Sequence, residues 1–549
     1  MRKNSFIEGA MVATIGIVIS KILGILYVIP FYNIIGQKGG NLYGYAYSMY
    51  SIFLNLSSIG IPLAISRLTS EYNATKQYKL KERTFKIGKK IILILSIVSF
   101  VLLFTTAPLI AELFIGDIQG GNTKEDVAFV IRIISSAILI VPILSITKGY
   151  LQGHKYITVS TISQVLEQIS RVLIIIVGSY VAIKVLDLPV KAGVDIAVFG
   201  ATVGGLIAYI YLLIKMRKNI KHFEQEDDKT EENTITTKSI VKKILSYAIP
   251  FVFVSLITSF YSFVDLSTVI KVMVNNLKYT VNDAELVLSI FSTWGNKLNM
   301  IVLSVSTGLV TSLIPNISSS FAKNDLEDAR NKINKSLQML LYLVVPMTVG
   351  ICLLSTPIWT IFYGYDILSS NIFAFYIFIA LFSSLLTILT TILQFLNEYK
   401  KLFLYVLFGL LTKLVLNIPL MYLFNSININ AGHGATLSTI LGFLVTIILI
   451  LIHLHKKIGV DYTNTLKKLL SIIFACSVMV VVIIILKNVL PLNVESRSTS
   501  LLAVAFLSAI GASTYLFITI KKGLLTDIFG NTVINKFEKR RKGIKNEEN

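Results

Sequence analysis

Gln164, Glu167, Gln168 and Arg171 stand mid-way along an otherwise Val-, Ile- and Leu-rich stretch, residues 157–184. About 20 mostly apolar residues are enough for a helix to cross a bilayer, so this stretch can span one. Each charge at its centre costs about 2.5–3.5 kcal/mol on an insertion scale. Glu167 and Arg171 are four positions apart and share one helix face, where they partly neutralise each other. Such a face must turn toward a bundle interior or a water-filled cavity. Other apolar runs repeat the pattern. Lys21 lies in the first, Arg67 in the second, Arg132 in the fourth, Lys297 in the eighth and Lys413 in the eleventh, while the acids are Glu167 and Asp265. A cluster of cations in low dielectric needs an anion or water beside it. That balance suits an anionic substrate such as a phosphate or pyrophosphate, and it repels an organic cation. Arginine offers phosphate a fork of donors, lysine a point charge. The residues expected to meet substrate are therefore Lys21, Arg67, Arg171, Lys297 and Lys413, with Glu167 and Gln164 beside them.

Composition fixes the setting. Of 549 residues, 54% are hydrophobic and 15% charged, well below the roughly 25% charged of a soluble domain. Lys and Arg number 51 against 30 Asp and Glu, a net +21. In a membrane protein this excess reads as cytoplasmic loop charge rather than a nucleic-acid surface. The longest polar segment, 216–239, is shorter than the roughly 50 residues of the smallest typical domains, so no enzyme domain and no catalytic residues are expected. Asp227 and Asp228 fall in that segment among other charges and read as solvated. No Gly-rich phosphate loop ending in Gly-Lys-Ser/Thr is present, which argues against ATP-driven transport by this chain. Cys352 and Cys476 both sit in apolar runs, and the five histidines are scattered, so neither a disulfide framework nor a metal site is expected. No small-residue cleavage site closes the first apolar run, which reads as a spanning helix rather than a signal peptide.

The elements that must position these residues form an all-α polytopic membrane protein of about 14 transmembrane helices. The expected spans are 7–35, 42–70, 87–114, 127–151, 157–184 and 194–215, then 240–274, 284–321, 333–363, 372–396, 402–424, 431–455, 466–489 and 501–520. Basic loops alternate with acidic ones, as in Lys76, Lys79, Lys81 and Arg83 against Glu112, Asp117, Glu125 and Asp126. Lys148 and Lys155 are assigned to the basic side. The alternation places both termini in the cytoplasm. A weak repeat joins the halves: Arg171 follows Gln152 by nineteen positions, and Lys413 follows Gln394 by the same interval. Two six-helix lobes in parallel repeat are expected, at 1–215 and 240–458, joined by the cytoplasmic linker 216–239. Residues 459–523 add two almost purely apolar helices, padding or a greasy groove for a lipid tail, and 524–549 form a charged cytoplasmic tail. Gly24, Pro30, Gly60, Pro62, Pro250, Gly308 and Pro315 gather on the helices that open each half, where bending could serve alternating access.

The segment KGYLQGHK at 148–155, followed by ISQVLEQISR at 162–171, resembles the Firmicutes-type MurJ lipid II flippases. These are relatives of polysaccharide exporters and of stage V sporulation protein B. ISKILG at 19–24, with Tyr27 and Pro30, and GIP at 60–62 through Ser66 and Arg67 fit the same pattern. The resemblance implies two lobes around a central cationic cavity and a groove made by the last two helices. It implies translocation of undecaprenyl-pyrophosphate-linked peptidoglycan precursor across the cell membrane. By position Lys21 matches the basic residue of the family's first helix, usually arginine, and Arg67 and Lys297 match further cavity cations. Asp265 is the nearest counterpart of a family sodium site. No cofactor is implied beyond a coupling ion, sodium or proton, or the membrane potential. The implied partners are the lipid-linked pyrophosphate, membrane lipids and the cell-wall synthesis machinery around a monomer, with no nucleic acid. Three alternatives stay open: a flippase for another lipid-linked oligosaccharide, a multidrug or metabolite cation antiporter of the same fold, and a non-transporting partner of wall synthesis.

Overall fold

A computed structural model describes residues 12, 16, 19–58, 60–116, 118, 121–218, 236–322, 325–490 and 493–529. Those residues are almost wholly helical and contain no strand. Thirteen helices among them are long and apolar enough to cross a membrane. In chain order they and their shorter companions are α1 (Val28–Ser58), α2 (Gly60–Ala74), α3 (Tyr78–Ile115), α4 (Lys124–Gly153), α5 (Ile157–Leu173) and α6 (Val190–Arg217). Then come α7 (Thr237–Lys271), α8 (Val281–Ser289), α9 (Gly295–Ala322), α10 (Leu326–Leu353), α11 (Ser355–Tyr363), α12 (Ile367–Tyr376) and α13 (Phe378–Phe395). The last are α14 (Tyr399–Ser426), α15 (Gly432–Ile458), α16 (Thr463–Val489), α17 (Arg497–Lys521) and α18 (Leu524–Phe529).

The count differs from fourteen at the N-terminus. Much of the first expected span precedes residue 19 and lies outside the described residues. Residues 19–26 are helical, and α1 takes up the chain directly after Tyr27. The expected loop between the first two spans is absent. Helix runs on either side of Gly36, whose φ of +64° and ψ of −163° make a sharp kink. Only glycine adopts that region without strain, so one residue replaces a loop. The stretch 333–363, read as one span, divides at Leu354 into α10 and α11. Residues 219–235 of the linker and 530–549 of the tail lie outside the described residues.

Elsewhere the ends follow local chemistry. Thr123 and Asp126 form a reciprocal capping box at the start of α4. Thr280, Asp325 and Ser496 each accept a backbone N–H three residues on and so open α8, α10 and α17. α5 continues as π-helical turns at Ile174–Gly178 and Val181–Val185 before the left-handed residue Asp187 turns the chain.

The chain divides into two compact units, residues 1–297 with 410–438 and residues 298–409 with 439–549. In the first, α4 packs against α1, α2, α3 and α6. Ile61, Ile65, Leu68, Ile92, Leu144 and Tyr150 fill part of its core. In the second, α10 packs on α16, and α17 on α16 and α11, around Tyr342, Ile472, Met479, Leu507 and Tyr515. Large apolar side chains point outward in both units, among them Leu109, Val415, Leu470 and Leu502, as lipid contact demands. A Gly36→Ala substitution should strain the kink by about 1–3 kcal/mol. It is expected to lower the thermal midpoint of the purified protein, whereas an unchanged midpoint would show that the kink carries no backbone strain.

Candidate functional site

Every residue singled out from the sequence for substrate or ion lies in the first unit. α5 carries the polar face on which the cluster is built. Glu167 Oε1 accepts a hydrogen bond from Arg171 Nη2 at 2.7 Å, and its Oε2 accepts one from Lys148 Nζ at 2.8 Å. The three side chains are 15%, 19% and 16% exposed, sheltered yet reachable. One carboxylate between two cations leaves the trio with net charge +1. The i,i+4 pairing of Glu167 with Arg171 expected from the sequence is present, and Lys148 joins it as a second cation on the same carboxylate. Lys148, assigned from the sequence to a cytoplasmic loop, belongs to α4 and turns onto the polar face of α5. Arg171 Nε remains buried without a hydrogen-bond partner among the described residues.

Glycine on α6 lets α5 come this close. A Cβ on Gly204 would stand 2.7 Å from the Glu167 carbonyl oxygen and 3.3 Å from Arg171 Cβ. A methyl group there would push apart the two helices that hold the charged trio. The segment 19–26 lies against the same helix. A Cβ on Gly24 would meet Gln168 Nε2 at 3.5 Å, and Lys21 stands three residues earlier. Gln164 is exposed on α5.

A group of tyrosines extends the site. Tyr43, Tyr47 and Tyr50 occupy positions i, i+4 and i+7 of α1 and so share a face. Tyr43 and Tyr47 stack with ring centroids 4.3 Å apart, and the Tyr27 and Tyr43 hydroxyls lie 3.5 Å apart. Lys297 Nζ lies 5.4 Å from the Tyr27 ring centroid, within cation–π range. Tyr27 thus stands between the Lys297 ammonium and the tyrosine face of α1. Among the described residues Lys297 forms no ion pair.

Asp265 and Lys413 form a separate and tighter centre. Lys413 Nζ donates to both Asp265 carboxylate oxygens at 2.7 Å, and its side chain is 0% exposed. Beside this pair Asn417 Nδ2 donates to Thr268 Oγ1 at 2.8 Å, and Ser438 Oγ donates to Asn417 Oδ1 at 2.7 Å. The sequence reading grouped Lys413 with cations that meet substrate, but here its ammonium is engaged by Asp265. The remaining cations are dispersed. Arg67 lies over the Tyr247 ring at 4.5 Å, and Arg132 folds back over Phe104 and its carbonyl. No group of three or more His, Cys, Asp or Glu able to hold a metal ion occurs among the described residues.

The second unit contributes an apolar cavity of about 400 Å³. Tyr342, Pro346 and Met347 of α10, Met479 and Ile483 of α16, and Gly511 of α17 belong to its wall. A Lys148→Ala, Glu167→Ala double-mutant cycle on thermal stability should give a coupling of about 0.5–3 kcal/mol, the range of partners in one ionic network. Glu167→Ala alone should be the more damaging single change, because it leaves two cations unpaired. Additive effects would show that the pair is energetically idle.

The tyrosine face and Lys148 escaped sequence reading. The i, i+4, i+7 spacing of Tyr43, Tyr47 and Tyr50 carried a usable signal, while the inward turn of Lys148 carried none. Comparison with known proteins places this architecture. The family described as polysaccharide biosynthesis protein matches residues 6–321. The lipid II flippase MurJ of Bacillus subtilis (strain 168) is 31% identical over 548 residues, 98% of this chain and 99% of that protein. A solved structure of lipid II flippase MurJ in an inward closed conformation superposes with a TM-score of 0.68 at 17% identity, covering 94% of this chain and 99% of that one. An inward-facing multidrug resistance MATE family transporter of the MOP superfamily gives a TM-score of 0.62 at 14% identity, covering 82% and 98%. The fold is thus the one shared with these two solved structures. A multi-pass membrane chain with this length of identity belongs to the polysaccharide biosynthesis protein family, on its MurJ-type branch.

Proposed function

We propose that this chain moves a lipid-linked, pyrophosphate-bearing peptidoglycan precursor, lipid II, from the cytoplasmic to the outer leaflet by alternating access. The observation that carries this reading is the 31% identity to a lipid II flippase over 98% of the chain. The charge pattern supports it. The trio Lys148, Glu167 and Arg171 keeps one net positive charge and is 15–19% exposed, and Lys297 lies nearby on the tyrosine cluster. A pyrophosphate accepts hydrogen bonds from such donors, and a guanidinium grips it better than an ammonium does. Lys21 adds a further cation on the segment beside α5, and Arg67 another on α2. The apolar cavity of the second unit suits part of a polyprenyl tail, which stays in a hydrocarbon environment while the headgroup crosses. Excess positive charge disfavours the cation-antiporter reading. Basic loop charge supports a topology with both termini in the cytoplasm. The protein works as a monomer beside the cell-wall synthesis machinery, driven by the membrane potential or a coupling ion.

Complementation tests the assignment. In cells depleted of their own lipid II flippase, the wild-type chain should restore growth and shape. Lys21→Ala and Arg171→Ala should abolish rescue, while Lys184→Ala, an exposed cation of the Val181–Val185 turn, should leave it intact. Full rescue by the first two variants would remove the cation assignment. Failure of the wild type, once correctly inserted, would remove the substrate.

A further inference from the structure

Asp265 and Thr268 lie three apart on α7, and Lys413 and Asn417 lie four apart on α14, so each pair shares one helix face. The faces meet in two rungs, Lys413 to Asp265 and Asn417 to Thr268, and Ser438 of α15 closes the second rung. The Asp265 carboxylate, with hydroxyl and amide groups from three helices one turn along, supplies oxygen ligands of the type that hard cations take. With Lys413 removed, the cluster would keep an uncompensated carboxylate at membrane depth, which must take a cation or a proton. The ammonium already does what a cation would do. It bonds both carboxylate oxygens at 2.7 Å, it is fully enclosed, and the Tyr261 ring centroid lies 5.9 Å away. The sodium site that family resemblance implies at Asp265 therefore does not fit this chain while Lys413 is in place.

We propose that Lys413 is a tethered cation filling a monovalent-cation site between α7 and α14, so that this chain neither binds nor needs sodium there. For the transport reading above, on which only its meaning for coupling rests, this removes sodium at Asp265 as the coupling ion. A mobile ion in such a site leaves and returns with the bath concentration. An ammonium on a four-carbon stem is always present and answers only to movement of its own helix. The joint between α7 and α14 then stays charge-compensated in any salt.

Direct ²²Na⁺ binding to purified full-length protein in detergent tests this without any transport assay. Wild type should show no saturable binding, and its thermal midpoint should not differ between sodium chloride and N-methyl-D-glucamine chloride at equal ionic strength. Lys413→Ala should open the site. It should bind ²²Na⁺ at least tenfold more than wild type, and sodium should raise its thermal midpoint by mass action. Asp265→Asn combined with Lys413→Ala should lose that binding. A folded Lys413→Ala protein that remains blind to sodium would overturn the proposal, as would saturable binding to wild type that Asp265→Asn removes. If Lys413→Ala does not fold, Lys413→Gln and the wild-type measurement decide by the same criteria. Loss of lipid transport with these binding results intact would count against the proposed function and not against the tethered cation.

Discussion

A charge inside a bilayer cannot be left alone, and the first unit answers that constraint in two different ways. Glu167 is held between Lys148 and Arg171, while Asp265 is held by Lys413. Each solution dictates helix packing. The first needs α4 beside α5 and a glycine at 204, where the Glu167 backbone comes too near for a side chain. The second needs α7 and α14 in register, since a shift of one residue would part both rungs. Breaking a sheltered pair by removing one partner leaves the other charge stranded, a penalty of about 3–5 kcal/mol when burial is complete. The charges thus act as register marks in a protein whose apolar surfaces could otherwise slide.

The two centres differ in what they leave over. The trio that α4 and α5 bring together is partly exposed, carries a surplus positive charge and has an arginine nitrogen with no hydrogen-bond partner among the described residues. It has donors for an anion. At Asp265 the two charges balance and the Lys413 ammonium is fully buried on the carboxylate, whose own side chain is 14% exposed. In the transport reading, the first centre meets the ligand and the second holds the frame that moves around it. Tyr27, just before α1, joins Lys297 to the tyrosine face of that helix. A phenol face accepts a lysine by cation–π attraction while its hydroxyl keeps hydrogen-bonding capacity, and among the described residues Lys297 forms no ion pair with a carboxylate.

Much of this was legible in the chain itself. The length of the apolar runs fixed the all-helical membrane architecture, because a run of some 20 residues has few other fates. Mid-run placement marked Glu167, Arg171, Asp265, Lys297 and Lys413 as residues that must be accounted for. Their partners were not legible. Asp265 and Lys413 are 148 positions apart, and no local periodicity links them. Lys148 lies near the end of α4, where a lysine can equally reach water, and only the packing of α5 decides otherwise. Gly36 replaced an expected loop because a helix break needs one permissive residue, whereas a loop signal needs several. The nineteen-residue interval from Gln152 to Arg171 and from Gln394 to Lys413 pointed to equivalent positions in two halves. The side chains at those positions nevertheless found opposite kinds of partner environment, one partly open and one sealed.

The central claim is that sheltered cations in the first unit carry a pyrophosphate-linked lipid across the bilayer. Its most direct test is leaflet-resolved transfer of fluorescent lipid II in proteoliposomes containing only this protein, read by accessibility of the headgroup to an impermeant quencher. The account predicts transfer by the wild type that falls at least tenfold in Arg171→Ala. Wild-type vesicles no faster than protein-free ones, or a variant as fast as the wild type, would contradict it.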